Sequence, residues 1–289
     1  MMLRRDLCLG TLEGLPPSSI GYRPALRDQL EQVKDAGVEG VVAWDRWNEV
    51  HDAGLIAIGM GRIVTPGEAL ELAQRHAAAG LEFTTLHVGT GFESDDEMAR
   101  LADAVLSASV QSGHAFHVET HRGTMTQDIY RTLQLVDRFP DLAITLDFSH
   151  WYTGHEMTYG GEFEARLQRL TPVFKNVRSF QLRIGDTGRI QRPLAPEAAY
   201  VQDHLRAFSL CIETLAQCGH RPAHISVAPE LLAAKMGAGS DARWICYAEP
   251  DEQNDRVRDA MTLFDLVNAQ LGHRAQDLPP VPDTLGDLS

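Results

Sequence analysis

The chain has 289 residues, 44% of them hydrophobic, which suits a single α/β barrel of roughly 250 residues with insertions. Its 26 basic and 40 acidic residues leave a net charge of −14, a surface that repels phosphate backbones and argues against a nucleic-acid partner. No stretch approaches the ~18 apolar residues of a membrane span, no apolar run at the N-terminus makes a signal peptide, and Cys8, Cys211, Cys218 and Cys246 form no CxxC pair, so the expectation is a cytoplasmic chain with reduced thiols.

Strand and helix patterns alternate along the chain. Leu7 to Leu12 is the first strand candidate, with Glu13 just beyond it. Ala25 to Ala36 reads as a helix, with Leu26, Leu30 and Val33 on one face and Gly37 as its stop. Val38 to Trp44 is a second strand with a polar and aromatic exit at Asp45, Arg46 and Trp47. The stretch from Asn48 to Arg62 shows no clear period and is expected to be an irregular loop. Thr65-Pro66-Gly67-Glu68 opens a helix that stops at Gly80. Leu81 to Val88 is then the third strand and delivers His87.

Ser94 to Glu97 has the form of a capping box, and the helix it opens stops near Gly113. Strand four ends at Glu119, followed by an amphipathic helix over Thr126 to Arg138. Strand five ends at Asp147. A helix containing Phe163, Leu167 and Leu170 precedes strand six, Val177 to Ile184. Gly185 to Glu197 is a loop rich in Gly, Pro and Arg. Leu205 to Cys218 is a helix, His224 to Ala228 is strand seven, and Arg243 to Tyr247 is the candidate for strand eight. Val257 to Leu271 is the last helix. Residues 1–276 are read as one barrel domain and residues 277–289 as a loose tail. A repeat of about 30 to 45 residues, some eight times over, predicts a closed (β/α)₈ TIM barrel. An open doubly wound sheet is the alternative, although no Gly-x-Gly-x-x-Gly follows a strand.

In such a barrel the strand carboxyl ends carry the chemistry. They hold Glu119, Asp147, Gln181 and Glu230 at successive strands, with His87, His121, His150 and Arg183 nearby. Three carboxylates and one amide oxygen make an open site for one divalent cation. Mg²⁺ or Mn²⁺ suits that set best, with Zn²⁺ and Co²⁺ as alternatives. Each residue alone also has a plain reading, Glu119 as a salt-bridge partner of Arg122 and His150 as a structural histidine. Glu249 competes with Glu230 as the last ligand, and Glu230 is preferred because it follows the clearer strand.

Glu119-Thr120-His121-Arg122-Gly123, Asp147-Phe148-Ser149-His150-Trp151, Leu182-Arg183-Ile184-Gly185 and Pro229-Glu230 resemble the motifs of the xylose isomerase-like barrel superfamily, specifically its sugar phosphate isomerase/epimerase group. The resemblance runs from about Leu81 to Leu232. It implies one divalent ion on Glu119, Asp147, Gln181 and Glu230, with Gln181 standing where the group has His. Leu231-Leu232-Ala233 also departs from the group's usual Gly-Pro. The implied activity is isomerisation or epimerisation of a small sugar, keto-sugar or hydroxy-keto acid through an enediolate. Glu119 and Glu230 exchange the proton. His87, His121, His150, Trp151 and Arg183 contact substrate, and Trp47 and Phe92 help to wall the pocket. The alternatives are a lyase or dehydratase of a keto-sugar or keto-inositol, and a non-catalytic ligand-binding or partner barrel. By analogy the chain pairs as a homodimer.

Overall fold

The computed structural model describes residues 2–219, 224–233, 235–236, 243–244 and 254–275. Its elements run β1 (Met2–Cys8), α1 (Leu26–Asp35), β2 (Gly40–Ala43), α2 (Trp47–Asp52), β3 (Ile56–Ile63), α3 (Glu68–Ala78), β4 (Phe83–Val88) and α4 (Asp95–Ser112). They continue β5 (Ala115–Glu119), α5 (Ile129–Arg138), β6 (Ile144–Asp147), α6 (Phe148–Gly154), α7 (Phe163–Gln168), α8 (Thr171–Phe174), β7 (Val177–Leu182), α9 (Ala199–Gln217) and β8 (His224–Pro229). Two short strands, β9 (Lys235–Met236) and β10 (Arg243–Trp244), precede α10 (Arg256–Ala275). The strands β1 to β8 close in sequence order, and every pair among them is parallel. This is a (β/α)₈ TIM barrel.

Three strand expectations change. The stretch expected to be a loop contains β3, so the strands counted four to seven are β5 to β8. Gly59 and Gly61 hide β3 by removing side chains from the pattern, and packing requires them. A Cβ on Gly59 would lie 2.6 Å from Thr84 Oγ1 and 2.8 Å from His76 Nδ1. The first strand starts earlier, at Met2, and Leu9–Thr11 is a 3₁₀ turn. Closure is made by β8 on β1, from Met2↔His224 to Arg5↔Val227. Arg243–Trp244 instead pairs antiparallel with Lys235–Met236, outside the barrel. Tyr247, Cys246, Glu249 and the expected tail lie outside the described residues.

Alternation along the strands sets two cores. Outward residues such as Phe116, Val118, Leu146 and Phe180 pack in the large buried cluster beneath the helices. A small apolar plug of Cys8, Val42, Ile58, Met60, Phe83 and Ala228 forms a second one. Polar residues fill much of the remaining interior. His117 Nδ1 lies 2.9 Å from Ser179 Oγ, which lies 2.7 Å from Thr145 Oγ1. Near the amino ends of the strands, Arg4 grips Asp6 with 2.9 and 2.8 Å bonds and reaches Glu82 at 2.7 Å. Apart from the exposed Glu82, the partners in these networks are buried or half-buried, so satisfying them helps to specify one register.

The capping box forms as expected. Ser94 Oγ accepts from the Glu97 N–H, Glu97 Oε2 accepts from the Ser94 N–H at 2.8 Å, and Gly113 ends α4 in the left-handed region. No helix among the described residues is long and apolar enough to cross a membrane.

Candidate metal centre and active site

The period-2 pleat that buries His117, Thr145 and Ser179 carries the same interior face two residues further, to Glu119, Asp147 and Gln181. Register confirms the alignment, with Asp147 opposite Gln181 and Glu119 opposite Thr145. Glu230 follows β8, its N–H bonded to Leu182 O at 3.1 Å. All four side chains are buried.

Each is held by its neighbours. Thr120 Oγ1 donates to Asp147 O and accepts from the Asp147 N–H, both at 2.9 Å, which locks the ends of β5 and β6 together. The Ser149 N–H and hydroxyl both donate to Asp147 Oδ1, at 3.0 and 2.5 Å. Asp147 Oδ2 is buried without a hydrogen-bond partner. It lies 3.4 Å from His150 Nε2 and 3.8 Å from Arg183 Nε. Thr85 Oγ1 donates to Glu119 Oε2 at 3.3 Å, and His87 Nε2 sits 3.2 Å from Glu119 Oε1. Arg183 Nη2 donates to Glu230 Oε2 at 2.5 Å.

Gln181 ends against the carboxylates of Glu119 and Glu230, where its amide nitrogen donates to Glu119 Oε2 and Oε1 at 3.0 and 3.1 Å and to Glu230 Oε2 at 3.2 Å; turned about, the same amide would offer its oxygen to a cation. The charges agree. Three acidic residues converge beside the single Arg183 guanidinium, an acidic excess that a divalent ion would complement. Burial raises Asp147 to about 7, against the pull of Arg183, with Glu230 and Glu119 adding to the rise. Glu230 is likewise raised by burial, with Arg183 opposing. Burial also acts to raise Glu119, but His87, His121 and Arg183 outweigh it and hold Glu119 below its ordinary value. The residues therefore fit a cation: Glu119, Asp147, Gln181 and Glu230 supply four oxygens, and a His150 nitrogen lies within 4.8 Å of donors on Glu119 and Asp147.

The three histidines form a row along β4, β5 and β6. His87 stacks on His121 at 4.2 Å between ring centroids, and His121 meets His150 at 4.0 Å. Burial pushes His121 down to about 4 and His150 well below its ordinary value. Both His150 nitrogens lack a hydrogen-bond partner.

Other expected contacts fall elsewhere. Trp151 is fully buried, and its Nε1 donates to Thr126 O at 2.8 Å, so it supports the loop after β5 from beneath rather than facing the cavity. Trp47 Nε1 donates to Ala43 O at 3.0 Å, and its ring packs on His76. Phe92 is 94% exposed. Glu13 and Asp45 are exposed. Trp44, which the sequence offered only as the last residue of a strand, is half exposed and sets its ring edge against His87 at 5.5 Å. Thr85 and Ser149, which orient Glu119 and Asp147, were also missed. The signal for Thr85 was its position two residues before His87 on one strand face.

The departure after Glu230 has a structural role. Leu231 is buried, and its N–H bonds Thr11 Oγ1 at 3.0 Å. The Gln191 side chain brackets the Leu232 backbone with bonds of 2.7 and 2.8 Å, tying the loop after β7 to the end of β8. Arg256 donates to Leu231 O, Gly10 O and Glu13 O, closing the same corner.

No protein-family model and no curated protein matches the sequence. Solved structures do. A sugar phosphate isomerase/epimerase from Parabacteroides distasonis is similar, with a TM-score of 0.57 and 10% identity over 93% of this chain and 96% of its own. So is the probable 3-DHS dehydratase AsbF of Bacillus anthracis, with a TM-score of 0.54 and 14% identity over 91% and 99%. A xylose isomerase-like TIM barrel protein from Mycobacterium smegmatis, determined in complex with magnesium, has a TM-score of 0.53 and 11% identity over 94% and 98%. At these identities the likeness is one of fold.

Proposed function

We propose that the chain is a divalent-cation-dependent isomerase or epimerase that moves a proton next to the carbonyl of a small sugar, keto-sugar or hydroxy-keto acid. The carrying observation is that Asp147 Oδ2, buried without a hydrogen-bond partner, converges with Glu119 and His150 in one buried cluster, against which the Gln181 amide and Glu230 also stand. These four residues would hold the ion, and Mg²⁺ or Mn²⁺ suits their oxygens. Bound there, the ion would polarise a substrate carbonyl and lower the pKa of the adjacent C–H.

The protein's own groups supply the proton chemistry. Glu119 lies below its ordinary pKa and Glu230 above it, so one is disposed to take a proton and the other to give one. A carboxylate oxygen of Glu119 removes the proton from the substrate carbon, and the Glu230 carboxyl returns one to the neighbouring carbon or the opposite face. Such a positioned pair contributes on the order of 10²–10⁴-fold. Arg183 keeps Glu230 in place through Oε2, and the His150 imidazole offers its free nitrogens to substrate oxygens. Burial of the acid–base pair excludes bulk water from the intermediate.

The test is the metal content of the purified chain beside Asp147→Ala and Glu230→Ala, followed by incubation with ketoses, hydroxypyruvate and keto-sugars in deuterated water. Metal lost in both variants, with deuterium entering next to the carbonyl in the parent alone, supports the reading. Loss of water from the substrate without return of a proton would instead assign a dehydratase. Metal-independent ligand binding with no exchange would assign a non-catalytic barrel.

A further inference from the structure

His87 and His121 have geometry that substrate contact alone does not explain. They come from different elements, His87 from the end of β4 and His121 from the turn after β5, yet their rings stack at 4.2 Å with planes 29° apart. One nitrogen of each and a Glu119 carboxylate oxygen lie within 4.8 Å of one another. His87 Nε2 pairs with Glu119 Oε1 at 3.2 Å. Two imidazoles and one carboxylate that converge in this way make the donor set of a three-ligand cation site.

The backbone holds this arrangement firmly. Thr126 Oγ1 donates to Glu119 O at 2.5 Å and accepts from the His121 N–H at 3.2 Å, while Thr124 Oγ1 donates to His121 O at 2.7 Å. These bonds tie the turn carrying His121 to the end of β5. Trp44 covers the outer edge of His87. The imidazoles are thus set in place by ring packing and by the backbone bonds of the turn.

We infer that His87, His121 and Glu119 form a second cation site, with Glu119 shared between it and the oxygen-rich site of Asp147, Gln181 and Glu230. The inference rests on the proposed function for its first site and goes beyond it for the second. Two imidazoles and one carboxylate select a borderline transition ion such as Zn²⁺ or Co²⁺ over Mg²⁺. Donors at about 2.0–2.2 Å from one tetrahedral ion stand roughly 3.3–3.6 Å apart, so these three donors, now within 4.8 Å of one another, would close in by side-chain rotation around the ion. Of the two Glu119 oxygens, Oε1 faces His87 and Oε2 faces Thr85, while the end of the Gln181 side chain lies 3.0 and 3.1 Å from Oε2 and Oε1.

The experiment strips the full chain with a chelator, reloads it with Co²⁺, removes excess ion and reads two signals. One is ions per chain by elemental mass spectrometry. The other is the visible absorption of Co²⁺, which responds to nitrogen ligands. His121→Ala and His87→Leu are read beside Asp147→Ala, with circular dichroism confirming that each is folded. His121, being partly exposed, is the safer substitution. The expected result is two ions in the parent and one in each histidine variant, with the visible bands diminished there. Asp147→Ala should lose the other ion and keep the histidine-dependent bands. One ion in the parent, kept with unchanged bands in folded His121→Ala, overturns the second site and leaves the first standing. One ion lost in His121→Ala but kept in Asp147→Ala upholds the histidine site and overturns the oxygen-rich one. No ion in the parent overturns both.

Discussion

Ser149 grips one oxygen of Asp147 twice, through its hydroxyl and its backbone N–H, and leaves the other oxygen bare. The hydroxyl bond therefore decides which lone pairs of Asp147 face the cluster. Ser149→Ala keeps the backbone bond and removes the stronger restraint. Cation affinity should fall about 10–100-fold, the usual cost of losing an outer-shell partner. Titration of the metal-free chain with Mn²⁺ reads this directly. Unchanged affinity would mean that the helix start alone orients Asp147.

Arg183 is only 4% exposed and lies against both Glu230 and Asp147. Arg183→Met strands these carboxylates, and breaking a buried pair from one side typically costs about 3–5 kcal/mol. The metal-free variant should unfold well below the parent in urea. Adding Glu230→Gln should restore part of the loss, because the charge left behind is then gone. A double variant no more stable than Arg183→Met would show that the penalty is lost packing.

Removing the cation should also lower stability. A ligand at 100 times its Kd stabilises the folded state by about 2.7 kcal/mol, and each kcal/mol moves Tm by roughly 2–4 °C in a chain this size. Chelation should therefore lower Tm by roughly 5–10 °C in the parent and leave Glu230→Ala unmoved. Equal shifts in both would place the stabilising ion elsewhere.

Two buried histidines away from the carboxylates set an acid limit. Burial pushes His76 and His204 from 6.5 down to about 4 each. Their folded pKa values lie below the unfolded one, so the unfolded chain binds more protons between these limits. Their contribution is present above about pH 6.5 and is lost as pH falls toward 4. Urea unfolding of the metal-free chain at pH 7.5 and 5 should show the loss, and His204→Phe should reduce it. An unchanged pH dependence in a folded His204→Phe would assign the acid limit to other groups.

Gly59 tests the hidden strand. A Cβ there meets the Thr84 hydroxyl and the His76 ring, which are themselves bonded at 2.7 Å. Gly59→Ala should destabilise the chain by about 1–3 kcal/mol, measured by urea unfolding. A neutral result would mean that α3 can retreat from β3 without cost.

Much of this molecule was legible from local chemistry. The polar exits of β5, β6, β7 and β8 stood out because apolar strands ended abruptly in Glu119, Asp147, Gln181-x-Arg183 and Glu230. Ser94 and Glu97 marked a helix start because capping is a contact between residues three apart. Ile56–Ile63 was not legible, because its glycines answer to α3 and β4 and not to their own neighbours. The pairing of β8 with β1 joins residues more than 200 positions apart, and no local pattern reports it. Trp151, expected against the substrate, bonds Thr126 O instead, and Trp44, for which the sequence offered no role, meets His87, for the same reason. Which aromatic ring reaches the histidine row depends on how α6 and the exit of β2 pack in three dimensions. Sequence by itself determined which groups stand at the strand ends. Tertiary structure alone decided which oxygen of Asp147 is bare, that Arg183 balances Glu230, and that His87 and His121 meet at Glu119, because each depends on register and side-chain direction between separate strands.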